Sequence, residues 1–259
     1  RSSDLVDAAD IRPDDTVVEI GPGPGTMTGL IAGKAQTVIA VEIDPYMADI
    51  LEQTFRDRDN LTIVRADILT FDLASVPPAS SGNKLNVIGN IPYNISTPIL
   101  FHLLTFRHLI RSITIMLQKE VAERLAASPG TKTYGIPSVM VAMYARVTPV
   151  VDVPSSCFYP KPKVTSRVIR IDFREAPIVE LKDEALFTTV VKTAFAQRRK
   201  TLFNNLKSLG LPEGDAGLSS ALDRAGIGGV RRAETLSADE FGLLSNILAD
   251  IMAQHPDNY

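Results

Sequence analysis

The stretch VVEIGPGPGTMTGL, residues 17–30, combines an apolar run, three closely spaced glycines and a segment that can start a helix. This order predicts a buried strand, a tight turn and a helix, as in many ligand-binding α/β folds. Gly21, Gly23 and Gly25 would let a ligand approach the backbone closely, since they carry no side chain. The dinucleotide fingerprint requires a glycine where Thr26 stands, so an ordinary strand–helix turn is also compatible with the stretch.

Four more apolar runs rich in Val and Ile follow, separated by helical stretches: TVIAVEID, LTIVRAD, KLNVIGN and SITIML. Their alternation with helices predicts a parallel, doubly wound sheet that is covered on both faces. The helix after KLNVIGN is predicted to begin with Thr97 as its N-cap. We interpret residues 136–153 as a helix followed by a strand. VTSRVIRIDF, residues 164–173, is interpreted as the strand that closes the sheet at its edge.

The pattern changes to helices alone after Pro177. Leu186, Val190 and Ala194 recur every four residues, as on the buried stripe of a helix. We therefore predict two domains, an α/β domain over residues 1–175 and a small α-helical domain over residues 176–259.

The composition is that of an ordinary soluble globular protein, with 45% hydrophobic and 22% charged residues in 259. No apolar run has the length of a membrane span, and no signal peptide is recognisable, so no membrane partner is expected. The single cysteine, Cys157, fits a reducing cytoplasm, and three scattered histidines make a zinc site implausible. We expect no metal.

Charge is distributed unevenly along the chain, although the net charge is only −3. Residues 1–72 contain 6 Lys or Arg and 14 Asp or Glu, residues 73–174 contain 12 and 4, and the remainder contains 9 and 12. The middle segment therefore carries an excess of positive charge, which suggests a surface for a polyanion. Charges spread around a solvated surface are the alternative.

Acidic residues end two of the predicted strands. Glu42 ends the second strand and Asp67 follows the third, at the edge where open α/β sheets bind ligands. A carboxylate at the Glu42 position suits the ribose of either NAD or S-adenosylmethionine. The glycine turn favours S-adenosylmethionine, because a turn that wraps an amino-acid tail suits this phosphate-free cofactor better than a pyrophosphate.

GNIPY, residues 89–93, ends the fourth strand at the same edge. An aromatic amine is a weak nucleophile, and two hydrogen-bond acceptors on its hydrogens would localise its lone pair. The side-chain oxygen of Asn90 and the carbonyl of Ile91 can be these acceptors, because Pro92 fixes the backbone. Tyr93 can stack on a base removed from its helix, and since stacking needs only the ring we expect Tyr93→Phe to be tolerated. The motif predicts in-line methyl transfer to a base, and an ordinary β-turn that contains Asn and Pro is the alternative.

Together these segments resemble the ribosomal RNA adenine dimethyltransferases, the KsgA-type family of class I S-adenosylmethionine enzymes. The matching segments run through nearly the whole chain: VVEIGPGPGTMT, AVEID, RADIL, GNIPYNISTPILFHLL, MLQKEVAERL, FYPKPKVTSRVIR and FAQRRKTLFNNL. The resemblance implies a Rossmann-like methyltransferase sheet with a C-terminal α-helical domain that binds RNA. It also implies dimethylation of adjacent adenines in small-subunit (16S) ribosomal RNA, late in assembly of the subunit, by a cytoplasmic monomer that acts on a pre-ribosomal particle.

The resemblance further implies roles for individual residues. Glu19 and the glycine turn would hold the methionine part of the cofactor, Glu42 its ribose, and Asp67 with Ile68 its adenine. Phe158 would stack on the face of the target adenine opposite Tyr93. The full set of implied cofactor contacts is Glu19, Gly21, Gly23, Gly25, Glu42, Ile43, Asp67, Ile68 and Asn90, and the product left there would be S-adenosylhomocysteine.

Two basic clusters can contact RNA phosphates without reading the base sequence. Lys161, Lys163, Arg167 and Arg170 follow Phe158 in a stretch that contains no acidic residue. The second cluster, Arg198, Arg199 and Lys200, lies in the helical domain, where ordinary helix surface is the alternative.

Three other functions are weighed against this one. An NAD-dependent oxidoreductase would need the third glycine and a proton-transfer residue at a strand end. A resistance-type methyltransferase that acts on large-subunit RNA shares the NIPY pattern, but QRRKTLFNNL favours the small-subunit enzyme. A non-catalytic assembly or transcription factor on the same fold is the third. The chain begins RSSDL, after the position of the family's glycine–glutamine–aromatic motif, so we expect native residues upstream.

Overall fold

The computed structural model describes residues 2–77, 84–157 and 164–254. Within them, seven strands form one sheet in the order β3-β2-β1-β4-β5-β7-β6. The strands are β1 (Thr16–Ile20), β2 (Thr37–Glu42), β3 (Leu61–Arg65), β4 (Leu85–Asn90), β5 (Ile110–Gln118), β6 (Ala145–Val153) and β7 (Ser166–Phe173). Strands β1 to β5 pair in parallel, whereas β7 pairs antiparallel with β5. The predicted α/β class is confirmed.

The strands form where the sequence is continuously apolar, because both faces of the sheet are covered. All five residues of β1 are buried, and so is every residue of β4 except its last. The first helices of the chain are α1 (Ser2–Ala8), α2 (Thr28–Ala32), α3 (Pro45–Thr54), α4 (Ser96–Thr105), α5 (Lys119–Leu125) and α6 (Ile136–Tyr144). The five parallel strands point the same way, so their carboxyl ends share one edge of the sheet.

The prediction that VTSRVIRIDF forms the edge strand is wrong. This segment is β7, which lies between β5 and β6, and β6 is at the edge. Its alternation of apolar and charged residues resembles an edge pattern. However, Val168, Ile169 and Ile171 are all fully buried, and the intervening Arg170 donates to Asp172 at 2.8 Å. Ion pairing on the strand thus allows a charged residue in an interior position.

The predicted N-cap of the helix after GNIPY is also wrong, since α4 begins at Ser96 with Ile95 at the N-cap position. Thr97 is already inside the first turn. The turn that precedes the helix is closed instead by the Ser96 hydroxyl, which donates to the carbonyl of Tyr93 at 3.1 Å.

The chain divides into two compact units, one formed by Arg1–Ala122 with Val147–Phe173 and the other by Glu123–Arg146 with Arg174–Tyr259. The second unit adds the helices α7 (Glu184–Ala194), α8 (Leu202–Leu206), α9 (Gly214–Arg224) and α10 (Ala238–Ala253). It also contains α6, which packs against α7 and α10. The division at residue 175 predicted from sequence assigns α6 to the first domain instead.

The second unit has its own aromatic core. Phe187 and Phe241 are fully buried, and the ring centroids of Phe195 and Phe241 are 5.9 Å apart. In the ranges described, no helix is both long enough and apolar enough to span a bilayer.

Candidate active site

The glycine turn after β1 has an open side and a packed side. Gly21, Gly23 and Gly25 have φ of +61°, +55° and +83°, a region that favours glycine. A Cβ on Gly25 would lie 2.6 Å from the ring of Phe55, so the third glycine is needed for packing against the end of α3. A Cβ on Gly21 or Gly23 would meet nothing within 4 Å. The first two glycines therefore leave space that a ligand can occupy.

Glu42, the last residue of β2, ties that strand to the glycine turn. Its carboxylate accepts from the backbone N–H of Gly23 and from that of Asp44, each at 2.9 Å. Both oxygens of this buried side chain are thus engaged within the protein, although each oxygen retains a second lone pair. The sequence predicts only a ligand contact here, whereas the structure assigns Glu42 a role in holding the turn itself.

Glu19, the second-last residue of β1, is a buried carboxylate with no hydrogen-bond partner in the described part of the chain. It is 0% exposed, both of its oxygens are unpartnered, and the buried hydroxyl of nearby Thr28 is unpartnered too. Burial raises the pKa of Glu19 to about 7; the Thr28 hydroxyl opposes this rise and the charge of Glu42 adds to it. An unpaired carboxylate just before an open glycine turn fits a ligand that brings a positive charge, such as the ammonium group of a methionine moiety.

The ends of β2 and β3 are held side by side. The backbone N–H of Ala66 donates to the carbonyl of Glu42 at 3.0 Å, and the Asp67 side chain accepts from Leu69 N–H at 2.9 Å. Ile68 is buried, whereas Ile43 is 66% exposed. An exposed isoleucine beside the acidic strand ends offers an apolar surface that a flat ring can cover.

The GNIPY motif lies at the carboxyl end of β4, where Asn90 is the last strand residue and pairs with Met116. Gly89 lies in close packing, since a Cβ there would lie 3.1 Å from both the Cβ and the carbonyl oxygen of Ile20. Asn90 is exposed, and its side chain makes no hydrogen bond to any residue whose structure is described. The carbonyl of Ile91 likewise receives no hydrogen bond from those residues. Two hydrogen-bond acceptors at the carboxyl edge of the sheet, the Asn90 side-chain oxygen and the Ile91 carbonyl, are thus available to a ligand.

Tyr93 is half-buried, and its hydroxyl lies 2.5 Å from the hydroxyl of Ser166. Ser166 is the first residue of β7 and is fully buried. Sequence reasoning missed this residue. Ser166 lies within the matched segment FYPKPKVTSRVIR, but the sequence does not indicate its contact with Tyr93, because the two residues are 73 positions apart.

Arg167, predicted to contact RNA, faces an acidic side chain. Its guanidinium donates twice to Asp152 on β6, at 2.5 Å and 3.0 Å, and the ammonium of Lys119 donates to the same carboxylate at 2.9 Å. These hydrogen bonds, first from Arg167 and then from Lys119, hold the pKa of Asp152 well below its usual range. A phosphate would have to share or displace Asp152 to bind here.

The second basic cluster differs in how freely its members can bind. Arg198 donates to Glu234 at 2.7 Å and to the carbonyl of Lys132 at 2.6 Å. Arg199 and Lys200 are exposed and form no ion pair with the residues described. All three border an open cavity of about 550 Å³ that Gln197 also lines. Phe158, Lys161 and Lys163 lie outside the described residues.

A largely parallel sheet with one antiparallel pairing, a glycine turn, acidic strand ends and an N-I-P-Y turn at one edge defines a class I methyltransferase. A family model described as ribosomal RNA adenine dimethylase matches residues 3–250. The chain belongs to this ribosomal RNA adenine dimethylase family.

Curated relatives agree with this assignment. The chain is 46% identical over 246 residues to a ribosomal RNA small subunit methyltransferase A from Syntrophus aciditrophicus, covering 95% of this chain and 88% of that one. It is 46% identical over 244 residues to the protein of the same name from Geobacter metallireducens, with coverages of 94% and 89%.

Two solved structures are similar over nearly their whole length. A dimethyladenosine transferase from Plasmodium falciparum aligns with a TM-score of 0.81 and 26% identity, covering 94% of this chain and 93% of that one. The 23S rRNA methyltransferase ErmE aligns with a TM-score of 0.73 and 27% identity, covering 96% of each chain.

Proposed function

We propose that this protein transfers methyl groups from S-adenosylmethionine to the 6-amino group of adjacent adenines in small-subunit ribosomal RNA, and so forms N6,N6-dimethyladenosine. The observation that carries the proposal is the position of GNIPY. Its free acceptors, Asn90 and the Ile91 carbonyl, lie at the same sheet edge as the open glycine turn after β1.

The chemistry requires that the adenine amine becomes nucleophilic. When bound, S-adenosylmethionine supplies a methyl group on a positively charged sulfur. In the first transfer, the side-chain oxygen of Asn90 and the Ile91 carbonyl accept the two amine hydrogens, so the lone pair is free to bond to the methyl carbon as the bond of that carbon to sulfur breaks, and the amine then releases one proton to solvent. In the second transfer, one of the two acceptors holds the single hydrogen that remains. Tyr93 stacks on the base in both transfers. Positioning and hydrogen bonding by these groups supply the rate enhancement.

The residues around the glycine turn suit the three parts of the cofactor. Glu19 would pair with the ammonium of the methionine part, and Gly21 and Gly23 leave room for its backbone-like tail. Glu42 has lone pairs for ribose hydroxyls. Asp67 and the exposed Ile43 would contact the adenine ring.

The small subunit is favoured over the large subunit as the source of the RNA. The relatives at 46% identity carry a small-subunit name, whereas the structure named for 23S RNA is 27% identical. We further propose that the protein acts in the cytoplasm, as a monomer, on a pre-ribosomal particle.

Substrate choice tests this proposal. Small-subunit and large-subunit particles from cells that lack these methyl groups are incubated with the protein and tritiated S-adenosylmethionine. We expect tritium in the small-subunit RNA alone. Label confined to the large-subunit RNA would favour the resistance-type enzyme, and no label in either RNA would favour a non-catalytic factor.

RNA binding is expected to depend on Arg199 and Lys200 more than on Arg198, whose guanidinium is already engaged by Glu234. Replacing Arg199 and Lys200 by Ala should reduce the slope of log affinity against log salt by about 2, since each lost phosphate contact removes about one. Filter binding to small-subunit RNA between 50 and 200 mM salt, roughly the range over which such contacts dominate, measures this.

The matched control replaces Lys192 on α7 and Arg224 on α9 by Ala, which removes the same charge from other exposed positions of the helical unit. Its slope should equal that of the parent protein. If both double variants change the slope equally, the cluster is ordinary protein surface and not a specific RNA contact.

A further inference from the structure

The buried hydroxyl of Ser166 contacts the site without a part in the proposed chemistry. Its oxygen lies 2.5 Å from the phenol oxygen of Tyr93, at the short end of the usual range for O–H···O hydrogen bonds. Ser166 is 0% exposed, and Tyr93 is its hydrogen-bond partner within the described ranges. A buried hydroxyl that meets a half-buried phenol at this distance indicates a defined contact.

The two partners differ in how firmly their backbones are held. Ser166 begins β7, pairs with Gln118 at the end of β5, and follows Thr165, whose carbonyl accepts from Lys119 N–H at 3.0 Å. Tyr93 lies beyond the end of β4, in a turn that leads into α4. The serine is therefore part of an interior strand of the sheet, whereas the tyrosine is carried by a connecting segment.

A hydrogen bond from the strand to the tip of the tyrosine fixes the direction of the ring. A ring held only at its Cα can swing about two side-chain torsions. A stacked base would follow that movement, and methyl transfer is sensitive to misplacement of the reacting atoms.

We propose that Ser166 is a positioning residue that acts through Tyr93: it holds the phenol so that a base stacked on the ring presents its amine to Asn90 and the Ile91 carbonyl. This inference rests on the proposed function. It changes the expectation from sequence that Tyr93→Phe is tolerated. Phenylalanine keeps the ring but loses the anchor, which is the hydrogen bond between the Tyr93 and Ser166 hydroxyls.

The test compares Ser166→Ala, Tyr93→Phe and the double variant in single-turnover methyl transfer at saturating RNA and cofactor. Each single change should lower the rate about three- to tenfold, the effect of losing one neutral hydrogen bond. The double variant should be no slower, since both changes remove the same bond. Affinities for RNA and cofactor should stay at parent values, and Ser166→Thr should restore part of the rate.

Ser112→Ala is the matched control. Ser112 is also a buried serine of this sheet, at the opposite end of β5, and its hydroxyl donates to the side-chain oxygen of Asn86 at 2.9 Å. This change should lower stability to a similar extent and leave the rate unchanged. The proposal is overturned if Ser166→Ala has the parent rate or if Ser112→Ala slows transfer equally. It is also overturned if the rate loss of the double variant is the product of the losses in Ser166→Ala and Tyr93→Phe.

The order of the Tyr93 ring can be measured in the free protein, without RNA or cofactor. This measurement therefore tests the role of Ser166 separately from the proposed function. With tyrosine labelled by ¹³C in the ring, the Tyr93 resonance is assigned from its loss in Tyr93→Phe. Ser166→Ala should shift or broaden that resonance, and Ser112→Ala should not. An unchanged resonance in Ser166→Ala overturns the anchor, whereas an inactive parent protein with a shifted resonance refutes only the proposed function.

Discussion

Asn90→Ala should lower the single-turnover rate of methyl transfer by roughly 10²–10³, the usual loss when one preorganised hydrogen-bond partner of a transition state is removed. The Asn90 side chain is exposed and has no partner in the described part of the protein, so it is not needed to hold the turn. Its oxygen would accept from the target amine mainly when the lone pair becomes localised. The rate should therefore fall far more than the affinity for RNA or cofactor.

Two variants sharpen this prediction. Asn90→Asp keeps an acceptor and adds a charge, so we expect partial activity with a changed pH dependence. Asn94→Ala removes another exposed amide from the same turn and should have the parent rate. Near-parent rates for Asn90→Ala, or a defect confined to binding, would show that GNIPY is a structural turn.

Glu19→Gln should change both the pH dependence of stability and the binding of cofactor. The pKa of Glu19 is raised by burial from 4.5 to about 7, so the folded protein retains a proton that the unfolded chain releases. The resulting stability is fully present below pH 4.5 and is lost as the pH rises through 7. A rise of this size corresponds to about 3 kcal/mol. Glutamine cannot ionise, and urea denaturation at several pH values should show this pH-dependent loss in the parent only.

Cofactor binding should respond in the opposite direction, because a cationic ammonium favours ionised Glu19. Parent affinity should rise with pH up to about 7. Calorimetry at pH 8 should show Glu19→Gln binding S-adenosylmethionine about 10- to 100-fold more weakly, as expected for a lost hydrogen bond to a charged group. The difference in affinity between the parent and Glu19→Gln should be smaller at pH 6, where the Glu19 carboxyl of the parent is largely protonated.

Glu180→Gln, the same change on an exposed carboxylate, is the control and should alter neither quantity. If Glu19→Gln binds as tightly as the parent at pH 8, the buried carboxylate does not pair with the cofactor. If it retains the pH dependence of stability, another group is responsible.

Most of the sheet could be predicted because its signals are local. Each parallel strand is a short apolar run bounded by turn residues, as in VVEIGPG. Because the connections between parallel strands are almost always right-handed, alternating strands and helices can form only a few topologies. The position of GNIPY at the carboxyl end of β4 was also predictable, since the motif directly follows its apolar run, and its role in methyl transfer stays a prediction.

The remainder depends on contacts between distant parts of the chain. The pattern of β7 alone does not reveal that β6 covers its other edge or that Asp152 pairs with Arg167. The packing of α6 with α7 and α10, and the bond between Tyr93 and Ser166, arise only after folding. Glu42 shows the same limit, because its strand-end position predicts a ligand contact but not its hydrogen bond to Gly23.

The methylated nucleoside that the protein produces distinguishes the proposed activity from every alternative, and mass spectrometry identifies this nucleoside. Small-subunit particles that lack the modification are incubated with the protein and S-adenosylmethionine, and their RNA is then digested to nucleosides. We expect N6,N6-dimethyladenosine, with both dimethylated residues in one short fragment when the RNA is cut by a sequence-specific nuclease. Methyl groups on any other base, or RNA without methylated adenine, would contradict the proposed activity.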